Sequence, residues 1–359
     1  MNKQITDTLN RVHNALMPKT ADLTFLLSLK TKEEQQILFR FADQVRQKHC
    51  GKGILLRGII EFSNRCANPC PYCGLSFHNH SLSRYQLSKN EILDTVDRLH
   101  HQKIRTVILQ SGEDPQMDPD WLADVIRSIR ARFEMAITLS VGEKSLETYR
   151  CWKKAGADRY LLKIETASRS IYDSLHPGMN FSKRILCLKN LTKLGYQVGC
   201  GNMIGLIGQT TATIARDIQF FKKMDFDMIA IGPFIPHSKT PHGQEKPGDP
   251  ELVLRTLALT RIVTKNSHLP STTALASFGN DLKNQGFLAG ANVLMLNFTP
   301  PSVLKDYDIY PGRKYTYLDE NDSSSSLHAW ADSLNRIIDY SIGNSLKSAT
   351  TQTVNQQYI

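Results

Sequence analysis

Three cysteines, Cys66, Cys70 and Cys73, fall within the run Cys66-Ala67-Asn68-Pro69-Cys70-Pro71-Tyr72-Cys73-Gly74. Spaced CxxxCxxC on a loop, they can bring three thiolates to one face. Soft thiolates suit iron–sulfur clusters. Three of them hold three corners of a four-iron cluster and leave one iron without a protein ligand, and an open metal position is a place for chemistry. Two blander arrangements use the same residues: a structural zinc site with His78 or His80 as fourth ligand, since zinc favours four, and three unrelated core cysteines. Other candidates lie further on. Gly112-Glu113 lets backbone approach a ligand while offering a carboxylate, although the pair is common in turns. Glu165 can hydrogen-bond a ribose diol or an ammonium group. Arg184 can grip a carboxylate through its planar fork or sit in a surface salt bridge. Arg159 and Lys163 are four residues apart, so on one strand they point to the same side. Facing inward, the two cations must be paired or bind an anion; facing outward, they pair with helix carboxylates. Cys50, Cys151, Cys187 and Cys200 sit in helical or apolar surroundings and read as small core residues.

The scaffold for these residues is an alternating one. The cysteine loop follows Ile54–Phe62, an apolar run that reads as a buried strand. Further strand-like runs at 106–110, 136–139, 159–163, 197–204, 228–231, 271–273 and 293–296 alternate with helical patterns at 89–102, 121–132, 146–155, 181–194, 211–224, 251–263 and 275–289. Ser88 with Glu91 forms a capping box that opens the first of these helices. Eight strands separated by helices are the mark of parallel βα units, which close into a barrel whose working face lies at the strand C-termini. Gln110, Ser111, Thr138, Ser140, Glu165, Thr166, Met203, Pro233, His237, Thr272 and Thr273 all fall at such strand ends, as does the cysteine loop. A doubly wound open sheet is the structural alternative. The pattern divides the chain into an N-terminal helical extension (1–50), a barrel (51–313), and a C-terminal linker, helix and tail (314–359). Asn297–Gly312 is expected to cap the barrel mouth, 319–326 to be an exposed linker, Leu327–Leu346 to be helical, and 348–359 to be disordered.

Composition narrows the class. The chain has 359 residues, of which 41% are hydrophobic and 22% charged. Those are the proportions of an ordinary globular protein with room for a large core. No apolar run is long enough to span a bilayer, and Met1-Asn2-Lys3-Gln4 has no apolar signal core behind it, which points to the cytoplasm. Seven cysteines, three of them together, argue against a disulfide framework and for a reducing compartment. The net charge is +10, from 44 Lys and Arg against 34 Asp and Glu. The basic residues form no run and interleave with no aromatic stripe, which argues against nucleic acid. A basic surface can instead attract an acidic electron donor or an anionic substrate.

The CxxxCxxC spacing, with Tyr72 as the aromatic before the last cysteine, resembles the signature of the radical S-adenosylmethionine (SAM) superfamily. That resemblance implies that the open iron chelates the amine and carboxylate of SAM, and that an electron from the cluster cleaves SAM to a 5′-deoxyadenosyl radical. Gly112-Glu113 would bind the SAM ammonium, with Ser111 in place of the family's first glycine. Within the superfamily the chain resembles the HydE family, the radical SAM maturases of [FeFe]-hydrogenase. The segments that carry this are Ile60-Glu61-Phe62-Ser63-Asn64, Val107–Pro115, Gly156–Leu162, Ile231–His237, Thr272-Thr273-Ala274, Gly290–Val293 and Tyr310-Pro311-Gly312, in one register from about Glu33 to Gly312. The resemblance implies a complete (βα)8 TIM-like barrel of the radical SAM type with a closed lumen. Cys66, Cys70 and Cys73 would hold one [4Fe-4S] cluster. Tyr72, Gln110, Gly112, Glu113, Thr138, Ser140, Glu165, Arg184 and Tyr307 would line SAM, and Arg159, Lys163, Thr272, Thr273 and Met295 a deeper substrate cavity. The implied substrate is a small, organometallic one, an iron-bound cysteine carrying CO and cyanide, whose sulfur the adenosyl radical attacks. The implied partners are a reducing donor such as ferredoxin or flavodoxin and other hydrogenase maturases. Three departures stand out. Lys163-Ile164-Glu165-Thr166-Ala167 replaces the family's Arg-His-Glu-Thr-Ala, Gly205-Leu206-Ile207-Gly208 lacks a proline, and Tyr315–Ser326 has none of the cysteines that hold a second cluster in some members. Lys163 and Ile164 keep open a relative such as a methylornithine synthase, or a diverged HydE-like enzyme that acts on another thiol or amino acid.

Overall fold

A computed structural model of the chain describes residues 1–315 and 324–347. The runs that are apolar on both faces form parallel strands: β1 (Gly53–Ser63), β2 (Thr106–Ser111), β3 (Ala136–Ser140), β4 (Arg159–Leu161), β5 (Gln197–Ile204), β6 (Met228–Pro233), β7 (Pro270–Ser271) and β8 (Val293–Asn297). They pair in the order β6-β5-β4-β3-β2-β1-β8-β7. The ring is completed between β6 and β7 by one bridge, Met228 to His268, where the Ile229 N–H donates to the His268 carbonyl at 2.9 Å. This seam is thin because β7 has two residues and opens on Pro270, which has no N–H for a ladder. The architecture is the (βα)8 barrel that the alternation predicts.

Helices cover the outside, most with one apolar face turned to the strands; Pro250–Thr264 is instead buried all round from Val253 to Thr264. The Ser88–Glu91 capping box is present, and the helix Lys89–His101 that it opens lies so close on β1 that a Cβ at Gly58 would meet Leu99 Cδ2 at 1.9 Å. The N-terminal helices Asn2–Asn14, Thr20–Leu27 and Lys32–Cys50 bury Ile5, Leu9, Leu23, Leu26 and Leu38 in the same continuous core as the barrel. They rest on Pro250–Thr264, the crossover helix between β6 and β7, where Arg255 Nε donates to the Leu27 carbonyl at 2.9 Å. Among the described residues no helix is long and apolar enough to cross a membrane.

Four sequence expectations are corrected. Strand four stops at Leu161 rather than Lys163, ahead of Glu165, whose φ is 63°. That left-handed conformation cannot continue an extended strand. Strand seven covers Pro270–Ser271, because the Thr272 hydroxyl accepts from the Leu275 N–H and caps a short helix, Thr273–Ala276, as threonine at an N-cap does. The helix expected over 275–289 is therefore split, its second part being Asn280–Leu288. The helix expected over Leu327–Leu346 is Ser324–Ser333 only, followed by a strand, β9 (Ile337–Asp339), parallel to Gly53–Leu55 at the start of β1. Adjacent apolar residues such as Ile337-Ile338 fit either period, and the free edge of β1 decides between them. The expected tail, 348–359, and most of the expected linker, 319–326, lie outside the described residues.

Beyond β9, residues 341–347 cross the N-terminal end of the barrel. Arg159 Nη2 donates to the carbonyls of Ile342 (2.9 Å) and Gly343 (3.0 Å), and Thr106 Oγ1 donates to that of Ile342 (2.9 Å). His268 Nε2 lies 2.9 Å from the Asn344 carbonyl. This strap floors the lumen.

Candidate active site

The cysteine loop leaves the C-terminal end of β1 and is braced before any ligand binds. Arg84 donates to the carbonyls of Asn64 (2.7 Å), Leu75 (2.9 Å) and Ser76 (2.8 Å), and the Asn64 side chain donates to those of Ser83 and Asp306 at 2.7 Å. Gly112 lets the loop sit directly on the end of β2, since a Cβ there would lie 2.3 Å from the Arg65 carbonyl oxygen. Burial, reinforced by the neighbouring thiols, raises the Cys70 thiol well above its ordinary range and pushes Cys73 up to about 12. Arg184 and Arg313 do not offset this burial; bound iron would supply the charge that deprotonates the thiols, as metals do with thiol ligands. Among the described residues no three His, Cys, Asp or Glu side chains converge on a single-ion site, so no tetrahedral zinc set is drawn together here. Three soft thiols held together on one braced loop have the donor chemistry of an iron–sulfur cluster.

Beside the loop a cleft of about 200 Å³ opens into the barrel, and it gathers Cys66, Cys70, Tyr72, Glu113, Ser140, Lys163, Glu165 and Arg184. Arg184, on the helix Phe181–Lys193, is 6% exposed. Its Nε lies 2.9 Å from Glu143 Oε1 and donates to the Tyr172 hydroxyl at 3.2 Å, and its Nη2 lies 3.8 Å from Glu113 Oε2. Burial opposes the charge, but Glu113, Tyr172 and Glu143 outweigh it and hold the guanidinium protonated. Lys163 Nζ pairs with Glu165 Oε2 at 2.9 Å. The Tyr72 hydroxyl lies 3.2 Å from His176 Nε2, and burial, aided by the Arg184 charge, pushes that imidazole down to about 3, so it is neutral.

The remaining predicted residues sit around and below this cleft. Gln110 Nε2 donates to the Tyr307 hydroxyl at 3.2 Å, and Tyr307 belongs to the segment expected to cap the mouth. That segment is fastened there: the Gly74 N–H donates to the Ile309 carbonyl at 3.0 Å, and buried Glu61 pairs with Arg313. Thr138 is fully buried, with its hydroxyl unpartnered. Thr272 lies against β6, its hydroxyl 3.3 Å from the Ile231 carbonyl, and Thr273 opens the short helix after it. Met295 pairs in register with Arg57, so both side chains share the lumen face. Arg159 is not in the cleft. It does point inward, as the strand period requires, but from the opposite end of β4, where Gln197, Thr106 and the strap satisfy it. Ile164 is fully buried in the core, so only the lysine of the two substitutions beside Glu165 faces the site.

Sequence reasoning missed Arg57, Glu143, Tyr172 and His176. Arg57 is 1% exposed inside the lumen; Nη1 contacts Met228 Sδ and Nε has no partner. Burial, then the charge of Arg159, holds its pKa well below the ordinary value. The available signal was a charged residue within an otherwise apolar strand. Glu143 lies in the loop after β3, where a carboxylate at a strand C-terminus could have been flagged. Tyr172 and His176 belong to the helix Arg169–Leu175 and its C-cap, with no spacing to mark them.

Residues 60–221 match the radical SAM superfamily. The [FeFe] hydrogenase maturase subunit HydE of Thermotoga maritima is 43% identical over 287 residues, covering 80% of this chain and 82% of that one. A 3-methylornithine synthase from Methanosarcina acetivorans is 28% identical over 76% of this chain and 77% of its own. The crystal structure of a methylornithine synthase covers 92% of this chain and 97% of its own at a TM-score of 0.80 and 24% identity. That of HydG, a maturase of the [FeFe]-hydrogenase, covers 95% and 77% at a TM-score of 0.79 and 16% identity. At those identities the structural likeness is one of fold. The chain belongs to the radical SAM superfamily and, within it, to the HydE-like members. It is an enzyme of the radical SAM type, and its family implies a [4Fe-4S] cluster and SAM as cofactors.

Proposed function

We propose that this enzyme matures [FeFe]-hydrogenase in the cytoplasm by acting on an anionic, iron-bound cysteine or thiol precursor. The observation that carries the reading is the 43% identity to a HydE over four-fifths of the chain. The lumen supports it. Lys163 is already paired with Glu165, but Arg57 is buried with its Nε unpartnered and, among the described residues, no carboxylate in contact, and a buried guanidinium without a carboxylate is stabilised by an anion. Cys66, Cys70 and Cys73 hold a single cluster. When bound, the cluster supplies an electron for the reductive cleavage of SAM. Arg184 and Glu113 present opposite charges to the carboxylate and ammonium of that cofactor, Glu165 takes its ribose, and Tyr72, Gln110, Gly112, Thr138, Ser140 and Tyr307 complete its surroundings. Arg159, Lys163, Thr272, Thr273 and Met295 belong to the substrate cavity in this reading, Arg159 by its charge from the floor. The extension 1–50, the barrel 51–313 and the C-terminal region 314–359 form one working unit, reduced by a ferredoxin or flavodoxin and acting beside other hydrogenase maturases.

The test is cell-free assembly of an [FeFe]-hydrogenase lacking its HydE, with this chain reconstituted anaerobically with iron and sulfide. Hydrogen evolution that appears with the wild type and is lost with Cys70→Ala supports the reading. SAM cleavage to 5′-deoxyadenosine without hydrogenase activation sinks it. Lys163, where the family carries arginine, favours one second reading, a diverged enzyme acting on another thiol or amino acid; Lys163→Arg would then raise hydrogenase activation from a low level.

A further inference from the structure

A second cleft, of about 390 Å³, opens on the outer side of the cysteine loop. Cys66 lines both this cleft and the inner one, so the loop is the partition between them. The outer wall is unlike the inner. Phe77 is 55% exposed, with the ring of His80 at 6.0 Å. Arg65 is exposed and, among the described residues, forms no ion pair. Arg84 satisfies its N–H groups on the carbonyls that brace the loop, and carbonyls hydrogen-bond a guanidinium without cancelling its charge. Lys239, whose Nζ lies 3.2 Å from Ser81 Oγ, adds a third cation nearby. Asp114 is the carboxylate among the lining residues, and Lys144 lies beside it.

An exposed aromatic among cations that form no ion pair among the described residues, one loop away from the three thiols, fits a particular kind of partner. Electron transfer rates fall steeply with distance, so a carrier must come close to the cluster, and the inner approach leads into a lumen too narrow for a protein. We propose that the outer cleft is the docking surface for an acidic, low-potential one-electron carrier protein, with Phe77 against the edge of the carrier's redox group and Arg65, Arg84 and Lys239 facing its carboxylates. This rests on the reading that Cys66, Cys70 and Cys73 hold a reducible cluster. In the step, the reduced carrier gives up one electron and the cluster gains it, with no atoms exchanged. Opposite charge on the two surfaces speeds the encounter and makes it sensitive to salt.

Reduced flavodoxin is the probe. Its binding to the reconstituted chain is titrated by calorimetry at about 50 and 300 mM salt, and SAM cleavage is driven in parallel by reduced flavodoxin or by dithionite. Arg65→Glu with Lys239→Glu, and separately Phe77→Ala, are expected to weaken binding about tenfold or more and to slow flavodoxin-driven cleavage by a similar factor. Dithionite-driven cleavage should stay within about twofold of wild type, because a small reductant needs no docking surface. Arg132→Glu, at the far end of the helix Pro119–Arg132, is the control and should behave as wild type. Unchanged flavodoxin affinity in the first two variants, or an equal loss in the control, overturns the docking surface. A wild type that dithionite cannot drive overturns the cluster reading instead, while the binding titration still decides the surface.

Discussion

Arginine is buried at both ends of this barrel, and the two ends treat its charge differently. At the C-terminal end Arg184 stands between the carboxylates of Glu143 and Glu113. At the N-terminal end Arg159 is held by carbonyls and amides, with no carboxylate in contact, and burial holds its pKa down to about 10. A carboxylate in contact cancels the charge, whereas a carbonyl only satisfies its hydrogen bonds; at the floor Asp158 and Asp227 act on Arg159 without forming an ion pair with it among the described residues. The mouth offers both signs at short range, as a zwitterion such as the methionine part of SAM requires. The floor and Arg57 above it offer guanidinium groups that no carboxylate among the described residues contacts, as an anion requires. One residue type thus builds two chemistries, and the neighbours decide which.

The comparison can be broken most directly at Arg184. Arg184→Ala strands two carboxylates, one of them nearly buried, and should cost about 3–5 kcal/mol of stability together with roughly a hundredfold in SAM affinity, read by calorimetry on the reconstituted protein. If Arg159→Ala lowers SAM affinity as much, the two ends are not distinct. At the floor, acid should act through His268, whose pKa burial and then Arg57 and Arg159 push down to about 3. In the unfolded chain a histidine titrates near pH 6.5. The unfolded state therefore takes up the proton first, so stability is complete above about pH 6.5 and drains as pH falls toward 3, at about 1.4 kcal/mol per pH unit. His268→Gln should flatten part of that slope in urea unfolding, and the remainder includes His176 at the mouth, also pushed down to about 3. Arg159→Ala itself should cost about 2–3 kcal/mol of stability by leaving strap carbonyls unpaired, with SAM affinity unchanged. The finest contrast is one substitution at two buried threonines. Thr106→Val removes a donor to the strap and should cost about 1 kcal/mol. Thr138→Val removes an unpartnered hydroxyl. Its stability should hold within about 0.5 kcal/mol of wild type, while SAM affinity falls several-fold.

Much of this was readable from the chain. The cysteine spacing and the regular exchange of strand and helix patterns led to the barrel, and polar residues at strand ends led to the cleft, because both depend on local periods. Lys163 and Arg159 show where that stops. Period two puts them on the same side of a strand but does not say that one end serves the mouth and the other the floor. Thr272 looked like strand because it is β-branched, yet its hydroxyl serves equally well as a helix cap. Glu143 could have been flagged by its place after β3, but His176 is legible only once the helices Arg169–Leu175 and Phe181–Lys193 have been folded together.

The floor also has an order in time. Synthesis releases β1 early and residues 337–347 only after all eight staves of the barrel, so until then Arg159 and His268 look out on bulk water. Pairing β9 with the start of β1 joins segments at opposite ends of the sequence, the slowest kind of contact to form. The floor of the lumen is thus closed by the strand pairing of greatest sequence separation in the barrel, between residues 53–55 and 337–339.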